Sequence, residues 1–172
     1  LMRYKLSVCI LEKENDVAMG ATKANSAIVH AGFDAEPGTL KAKLNVRGSE
    51  MMESVTGELS VKYRRNASLV IGFSDNDRKT LQSLLERGEK NGVKGLRIIE
   101  KDELHKKEPN LSDGALCALY APTGAIVCPY ELCIAAVGNA MENGADLKLN
   151  FEVTDIKRTS DCYIISSPGG EV

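Results

Sequence analysis

The sequence predicts an α/β fold of the mixed α+β kind, on three observations. Short apolar runs of strand length alternate with longer segments of helical periodicity along the 172 residues. Turn-forming breaks separate them, at Pro37-Gly38, Asn91-Gly92, Pro109, Thr123-Gly124 and Asn143-Gly144. Hydrophobic residues make up 43% of the chain and charged residues 27%, enough apolar material for a core under a solvated surface.

Leu6 to Leu11 is a nearly continuous apolar run that follows a short helical remnant starting at Leu1. It fits a buried parallel strand, and Glu12 stands at its C-terminal end. Residues 13–20 are polar and loop-like, and the small residues from Ala21 to Val29 suggest one short helix. Pro37-Gly38-Thr39 opens a long helix, with Leu40, Leu44, Met51, Met52, Val55 and Leu59 near one face that is expected to be core. Ser68 to Phe73 reads as a strand. Ser74 caps the next helix, Asp75 and Asp77 complement its dipole, Leu81, Leu84 and Leu85 form its buried face, and Asn91-Gly92 stops it.

Leu96 to Ile99 is a short strand, and Lys101 to Glu108 a polar helical turn ended by Pro109. Leu116 to Tyr120 and Ala125 to Val127 are strands on either side of Thr123-Gly124. Pro129 suits the first turn of a helix with Cys128 at its N-cap. Leu132, Cys133, Ala136, Val137, Ala140 and Met141 would face inward from that helix. Leu147, Leu149, Phe151 and Val153 alternate with polar residues as a half-buried strand, and Cys162 to Val172 reads as a hairpin cut short. Together with Leu1 preceding Met2, that unfinished hairpin suggests a fragment of a longer protein.

Several classes are excluded. The net charge of −2 gives no global pull toward nucleic acid or anionic membrane. The longest uncharged stretch, Gly114 to Tyr130, is broken by Pro122, Gly124 and Pro129, so it is no transmembrane segment. The five cysteines are odd in number, and Cys9 and Cys162 lie in apolar runs, which suggests buried reduced thiols in a cytoplasmic protein. There is no Cys-x-x-Cys, and His30 and His105 stand apart, so no metal site is expected.

Glu12 is the first candidate for chemistry. A carboxylate at the end of the second strand of a dinucleotide-binding βαβ unit accepts hydrogen bonds from a ribose diol. The glycine-rich turn that should precede it by about 20 residues has no room in the 11 residues before Glu12. Taken alone, Glu12 is also explained as a solvated strand-end glutamate.

The segments Leu11-Glu12-Lys13-Glu14 and Gly20 to Phe33 (GATKANSAIVHAGF) resemble the D-amino-acid-oxidase-like FAD oxidoreductases. The stretch Ala121 to Leu132 (APTGAIVCPYEL) and the strand from Asp146 to Ile156 with its hairpin match in the same order. Within that group the chain is most like the glycerol-3-phosphate dehydrogenase family, with L-2-hydroxyglutarate dehydrogenase close behind. The resemblance implies residues 1–35 and 127–172 as parts of an FAD-binding Rossmann-like domain, and residues 36–126 as a segment of the substrate-covering cap domain.

It also implies cofactor contacts. Glu12 would bind the adenosine ribose of FAD with Lys13 beside it. Gly20, Ala21, Thr22, Asn25 and Ser26 would wrap the middle of the cofactor. His30, Ala31 and Gly32 would lie against the isoalloxazine ring, and Val153 would meet the adenine through its backbone. Read alone, His30 is a hydrogen-bonded core histidine. No catalytic base is assigned, and Cys128 stands where many relatives have Asp or Ser.

The implied activity is oxidation of a secondary alcohol by hydride transfer to flavin N5, with glycerol 3-phosphate as the small-molecule substrate. The alternatives are L-2-hydroxyglutarate or another 2-hydroxy-acid or amine substrate on the same fold, or a non-catalytic α/β binding module. The electron acceptor is unassigned, and membrane association of the full-length form is left open. The isolated chain is expected to be inactive, to hold FAD poorly, and to expose sheet edges that invite a dimer.

Overall fold

The alternation of periods becomes eleven strands and four helices among the residues that the computed structural model describes, 4–172. The first half contains β1 (Cys9–Leu11), β2 (Ile28–Val29), α1 (Leu40–Glu58), β3 (Tyr63–Arg64), β4 (Ser68–Gly72), α2 (Asp75–Lys90) and β5 (Arg97–Glu100). The second contains α3 (Lys101–Lys107), β6 (Cys117–Ala121), β7 (Ala125–Val127), α4 (Pro129–Glu142), β8 (Asp146–Lys148), β9 (Asp155–Arg158), β10 (Tyr163–Ser167) and β11 (Gly170–Glu171). The helical remnant expected from Leu1 lies outside the described residues as far as Arg3, and Tyr4 and Lys5 form a bend.

The chain divides into two units. One holds the residues up to Ser26, Leu59–Val61 and Cys128–Val172; the other holds Ala27–Glu58 and Lys62–Val127. In the first unit, β1 and β8 pair in parallel, with Cys9 opposite Asp146 and Leu11 opposite Lys148. The apolar run and the alternating strand, from the two segments that the resemblance gives to one domain, thus share a sheet. Both are shorter than the sequence suggests. Leu6 to Val8 stays outside β1, and β8 ends before Asn150, whose φ of 54° turns the chain away. Phe151, buried at 8% exposure, is held by its N–H to Glu12 O at 2.8 Å. β9, β10 and β11 form the antiparallel meander that the C-terminal hairpin pattern implies.

The second unit carries two antiparallel sheets, β2-β7-β3 and β4-β6-β5. The strands on either side of Thr123-Gly124 therefore belong to different sheets, and β6 forms the centre of its own. One core cluster gathers Leu81, Leu96, Cys117 and Leu119, with Leu84 and Leu85 packed against it. A second gathers Ile99, Leu104, Ala115 and Ala118. The α2 face is thus core, as its periodicity predicts. Its ends follow the sequence too. Ser74 Oγ accepts from Asp77 N–H, Asn91 closes the last turn, and Gly92 follows at φ 85°.

α1 corrects its expectation. Its buried positions are Ala42, Ser49 and Thr56, one every seventh residue, whereas Leu40, Leu44 and Met51 are 69%, 56% and 48% exposed. The packed stripe is small because the helix lies close to backbone: a Cβ on Gly32 would come within 2.6 Å of Val46 Cγ2. Thr56 Oγ1 donates within the helix to Met52 O at 2.8 Å, and Ser49 Oγ donates to Thr123 O at 3.4 Å. A hydrophobicity count misses an interface selected for closeness.

The inward face expected for α4 is likewise not buried. None of its residues is buried, and Met141 is 47% exposed. Pro129 at its start and Gly144 (φ 93°) past its end do follow the sequence. Cys9 and Cys162 are exposed rather than buried, because β1 has one paired neighbour and Cys162 sits in the turn between β9 and β10. Cys117 is the buried thiol, and Cys128 takes the N-cap position without a side-chain cap bond.

Candidate functional site

In the first unit the parallel pairing places Glu12 immediately past the C-terminal end of β1. Its N–H donates to Lys148 O at 2.9 Å, which fixes the backbone there. Its carboxylate accepts one bond through Oε1, from Glu14 N–H at 2.9 Å. Among the described residues Oε2 has no partner. Lys13 is exposed and pairs with Glu14 at 3.7 Å.

Gly20 to Thr22 form a single 3-10 turn, not the start of a helix reaching Val29. Two features end it. Ala27 takes φ 62° before β2, and the Asn25 amide bridges Ala21 O at 3.1 Å and Thr22 O at 2.9 Å. Asn25 thereby shapes the turn. Ser26 is exposed, and Gly20, at φ 72°, has open space where a Cβ would stand. Val153 is 42% exposed, and among the described residues neither of its backbone polar groups is hydrogen-bonded. Glu12 and the segment leading to Val153 are brought side by side through the Phe151 bond to Glu12 O.

His30, Ala31 and Gly32 belong to the second unit, directly after β2. His30 is exposed, which overturns its reading as a core histidine, while Ala31 is buried at 2% exposure. Gly32 has φ 106° and is pressed against Val46. The glycine is therefore required on the α1 side, a constraint that the sequence does not reveal. A small pocket of about 110 Å³ is lined by His30, Asp34, Lys41 and Asn45. A larger cleft of about 350 Å³ opens beside Ala31, lined by Ser49, Glu50, Arg65, Lys94 and Thr123. Its two cations are already paired, Lys94 with Glu50 at 3.4 Å and Arg65 with Glu53 at 3.0 Å.

Two pairs brace the second unit. The Arg78 guanidinium grips Glu100 with both nitrogens, at 2.8 and 2.6 Å, and its hydrogen bonds hold the Glu100 carboxyl below the usual range. Arg97 does the same to Glu103 at 2.8 and 2.5 Å, with the same effect. Among the described residues no three metal-ligating side chains gather, and no helix is long and apolar enough to cross a membrane.

The donor set fits part of a dinucleotide. A carboxylate oxygen without a partner at a parallel-strand terminus suits a ribose diol. The open backbone at Gly20 and Val153 suits close approach by a ligand. The sequence contains no G-x-G-x-x-G turn for a pyrophosphate.

The comparisons bear on the same chemistry. The chain is 48% identical over 165 residues to a glycerol 3-phosphate dehydrogenase of Caloramator mitchellensis, covering 96% of this chain and 34% of that one. It is 34% identical to the mitochondrial L-2-hydroxyglutarate dehydrogenase of Pongo abelii, over 98% of this chain and 40% of that one. The chain thus spans little more than a third of these relatives. Among solved structures, the dithionite-reduced L-alpha-glycerophosphate oxidase of Mycoplasma pneumoniae with FAD bound superposes with a TM-score of 0.92 at 26% identity. That match covers 97% of this chain and 44% of the oxidase. Glycine oxidase from Geobacillus kaustophilus shares the fold, with a TM-score of 0.88 at 21% identity. The profile of the DAO family, described as FAD dependent oxidoreductase, matches residues 1–172, and the chain belongs to that family of FAD-dependent enzymes.

Proposed function

We propose that the full-length protein containing this chain oxidises the secondary alcohol of glycerol 3-phosphate to dihydroxyacetone phosphate, using FAD. The observation that carries the substrate is the 48% identity to a glycerol 3-phosphate dehydrogenase, against 34% to an L-2-hydroxyglutarate dehydrogenase. FAD, when bound, supplies the two-electron acceptor. Glu12 binds the adenosine ribose through its unengaged carboxylate oxygen, with Lys13 at its flank. The Gly20-Ala21-Thr22 turn and Ser26 approach the middle of the cofactor with backbone and hydroxyl groups, in a shape that Asn25 maintains. Val153 offers its backbone groups to the adenine edge. His30, Ala31 and Gly32 form the surface against the flavin ring. Residues 1–35 and 127–172 are assigned to the flavin domain and 36–126 to the substrate-covering domain. A cytoplasmic location belongs to the same reading, on the five unpaired cysteines.

Anaerobic addition of glycerol 3-phosphate to the purified full-length protein tests this reading. The flavin absorption should bleach with glycerol 3-phosphate and persist with L-2-hydroxyglutarate. Bleaching by the hydroxy acid alone would transfer the assignment to that substrate, and a colourless protein would favour a binding module.

A further inference from the structure

The loop after β2 is held by side chains to an unusual degree. Asn45 Nδ2, on α1, donates to His30 O at 3.0 Å. Asn91 Nδ2, at the end of α2, donates to both Gly32 O at 3.0 Å and Ala35 O at 2.7 Å. Arg87 Nη1, one turn earlier on α2, donates to Asp34 O at 2.9 Å. Four carbonyls between His30 and Ala35 are thus fixed by donors from two helices.

Packing holds the same segment. Gly32 lies against Val46 of α1, and a Cβ on Gly88 of α2 would come within 2.8 Å of Phe33 Cβ. Ala31 and Ala35 are buried at 2% and 3% exposure, while His30 is exposed. The loop is therefore wedged between α1 and α2, with His30 exposed.

Asn91 is the centre of this arrangement. Helix termination does not need its side chain, because its backbone N–H closes the last turn on Arg87 O and its φ of −79° suits most residues. Among the described residues the side chain even leaves Oδ1 buried without a partner, an unfavourable state. Turning the amide over would set that oxygen against two carbonyls, so its orientation is dictated by the loop.

We propose that Asn91, seconded by Asn45, is a positioning residue that sets the backbone of the His30–Ala35 loop from behind. The inference rests on the reading above that this loop faces the flavin. It means that the ring-facing surface is shaped before the cofactor arrives, by residues that never touch it.

Asn91→Asp in the full-length protein tests it. The substitution keeps size and backbone capping but replaces the bridging donor with an acceptor. Cleavage within residues 31–36 by a non-specific protease should quicken by about tenfold or more, with the β4-β6-β5 sheet keeping wild-type resistance. The bound-flavin spectrum should shift. Asn91→Ala, which removes the donor without adding repulsion, gives the same local readout should the aspartate variant not fold. Local quickening supports the clamp. Unchanged cleavage at 31–36, or equal quickening throughout the domain, overturns it. Local quickening in a protein that holds no flavin even with Asn91 intact, or with an unmoved flavin spectrum, refutes the flavin-facing reading and leaves the clamp standing.

Discussion

Glu12 and Gly32 show how differently single residues are legible. The role proposed for Glu12 rests on position: a carboxylate past a parallel strand, with one oxygen engaged by its own loop and the other, among the described residues, open. Glu12→Ala in the full-length protein should weaken FAD retention about tenfold, since a hydrogen bond to a charged group contributes roughly 1.5–3 kcal/mol. Equilibrium dialysis against free FAD measures it, and an unchanged affinity removes Glu12 from the site. Gly32 needs the structure. Its φ of 106° and the 2.6 Å approach of Val46 Cγ2 leave no space for a side chain. Gly32→Ala should destabilise the chain by about 2–4 kcal/mol, combining backbone strain with displacement of α1. Urea unfolding reads the loss. A variant as stable as the parent would show that the loop moves off α1 freely.

At the scale of elements, α2 is the one that local rules describe best. Ser74 Oγ accepts from Asp77 N–H at 3.2 Å, and Asp77 Oδ2 accepts from Phe73 N–H at 2.9 Å. Ser74→Ala should lower the unfolding free energy by about 1 kcal/mol. The Phe73 N–H, then the Ser74 hydroxyl, holds the Asp77 carboxyl below its ordinary range. A carboxyl lowered on folding stabilises fully above its unfolded pKa and loses that contribution as pH falls through the folded value. Stability should therefore hold near neutrality and fall on the acid side, and Asp77→Asn should lose less between neutral and acid pH than the parent. Equal acid slopes in the two proteins would remove Asp77 from the effect. α1 shows the opposite case. Its apolar spacing points to Leu40, Leu44 and Met51, yet Ala42, Ser49 and Thr56 are buried, because a helix seated on a glycine loop is chosen for small side chains. Asn91 was legible as a helix stop, whereas its bridge to Gly32 O and Ala35 O joins residues too far apart in sequence for local patterns to reveal.

At the scale of the whole molecule, α1, β4, α2, β5, β6, β7 and α4 were legible because each carries its own period and its own breaks, whereas the two-residue strands β2, inside the expected short helix, and β3 are too short to carry one. Burial was less legible, because it depends on what covers each face. Among the described residues β1 pairs with β8 alone and α4 has no buried residue. The same features decide how the 172-residue chain should behave by itself. Its candidate contacts to FAD are Glu12, the Gly20–Ser26 segment, the His30 loop and Val153, and the sequence holds no glycine-rich turn to catch a pyrophosphate on a helix N-terminus. The relatives it matches are between two and three times as long, so the chain spans only part of them. Contacts to one part of a ligand in open water are weakened by the solvent that competes for them. Titration of FAD into the isolated chain, followed by flavin fluorescence, should give no saturation at low micromolar concentration and no turnover of glycerol 3-phosphate. The exposed apolar face of α1 and the unpaired strand edges should instead drive concentration-dependent self-association, visible by sedimentation. Leu44→Glu, on that face, should reduce it. Tight saturable FAD binding by the isolated chain would show that these residues suffice without the glycine-rich turn.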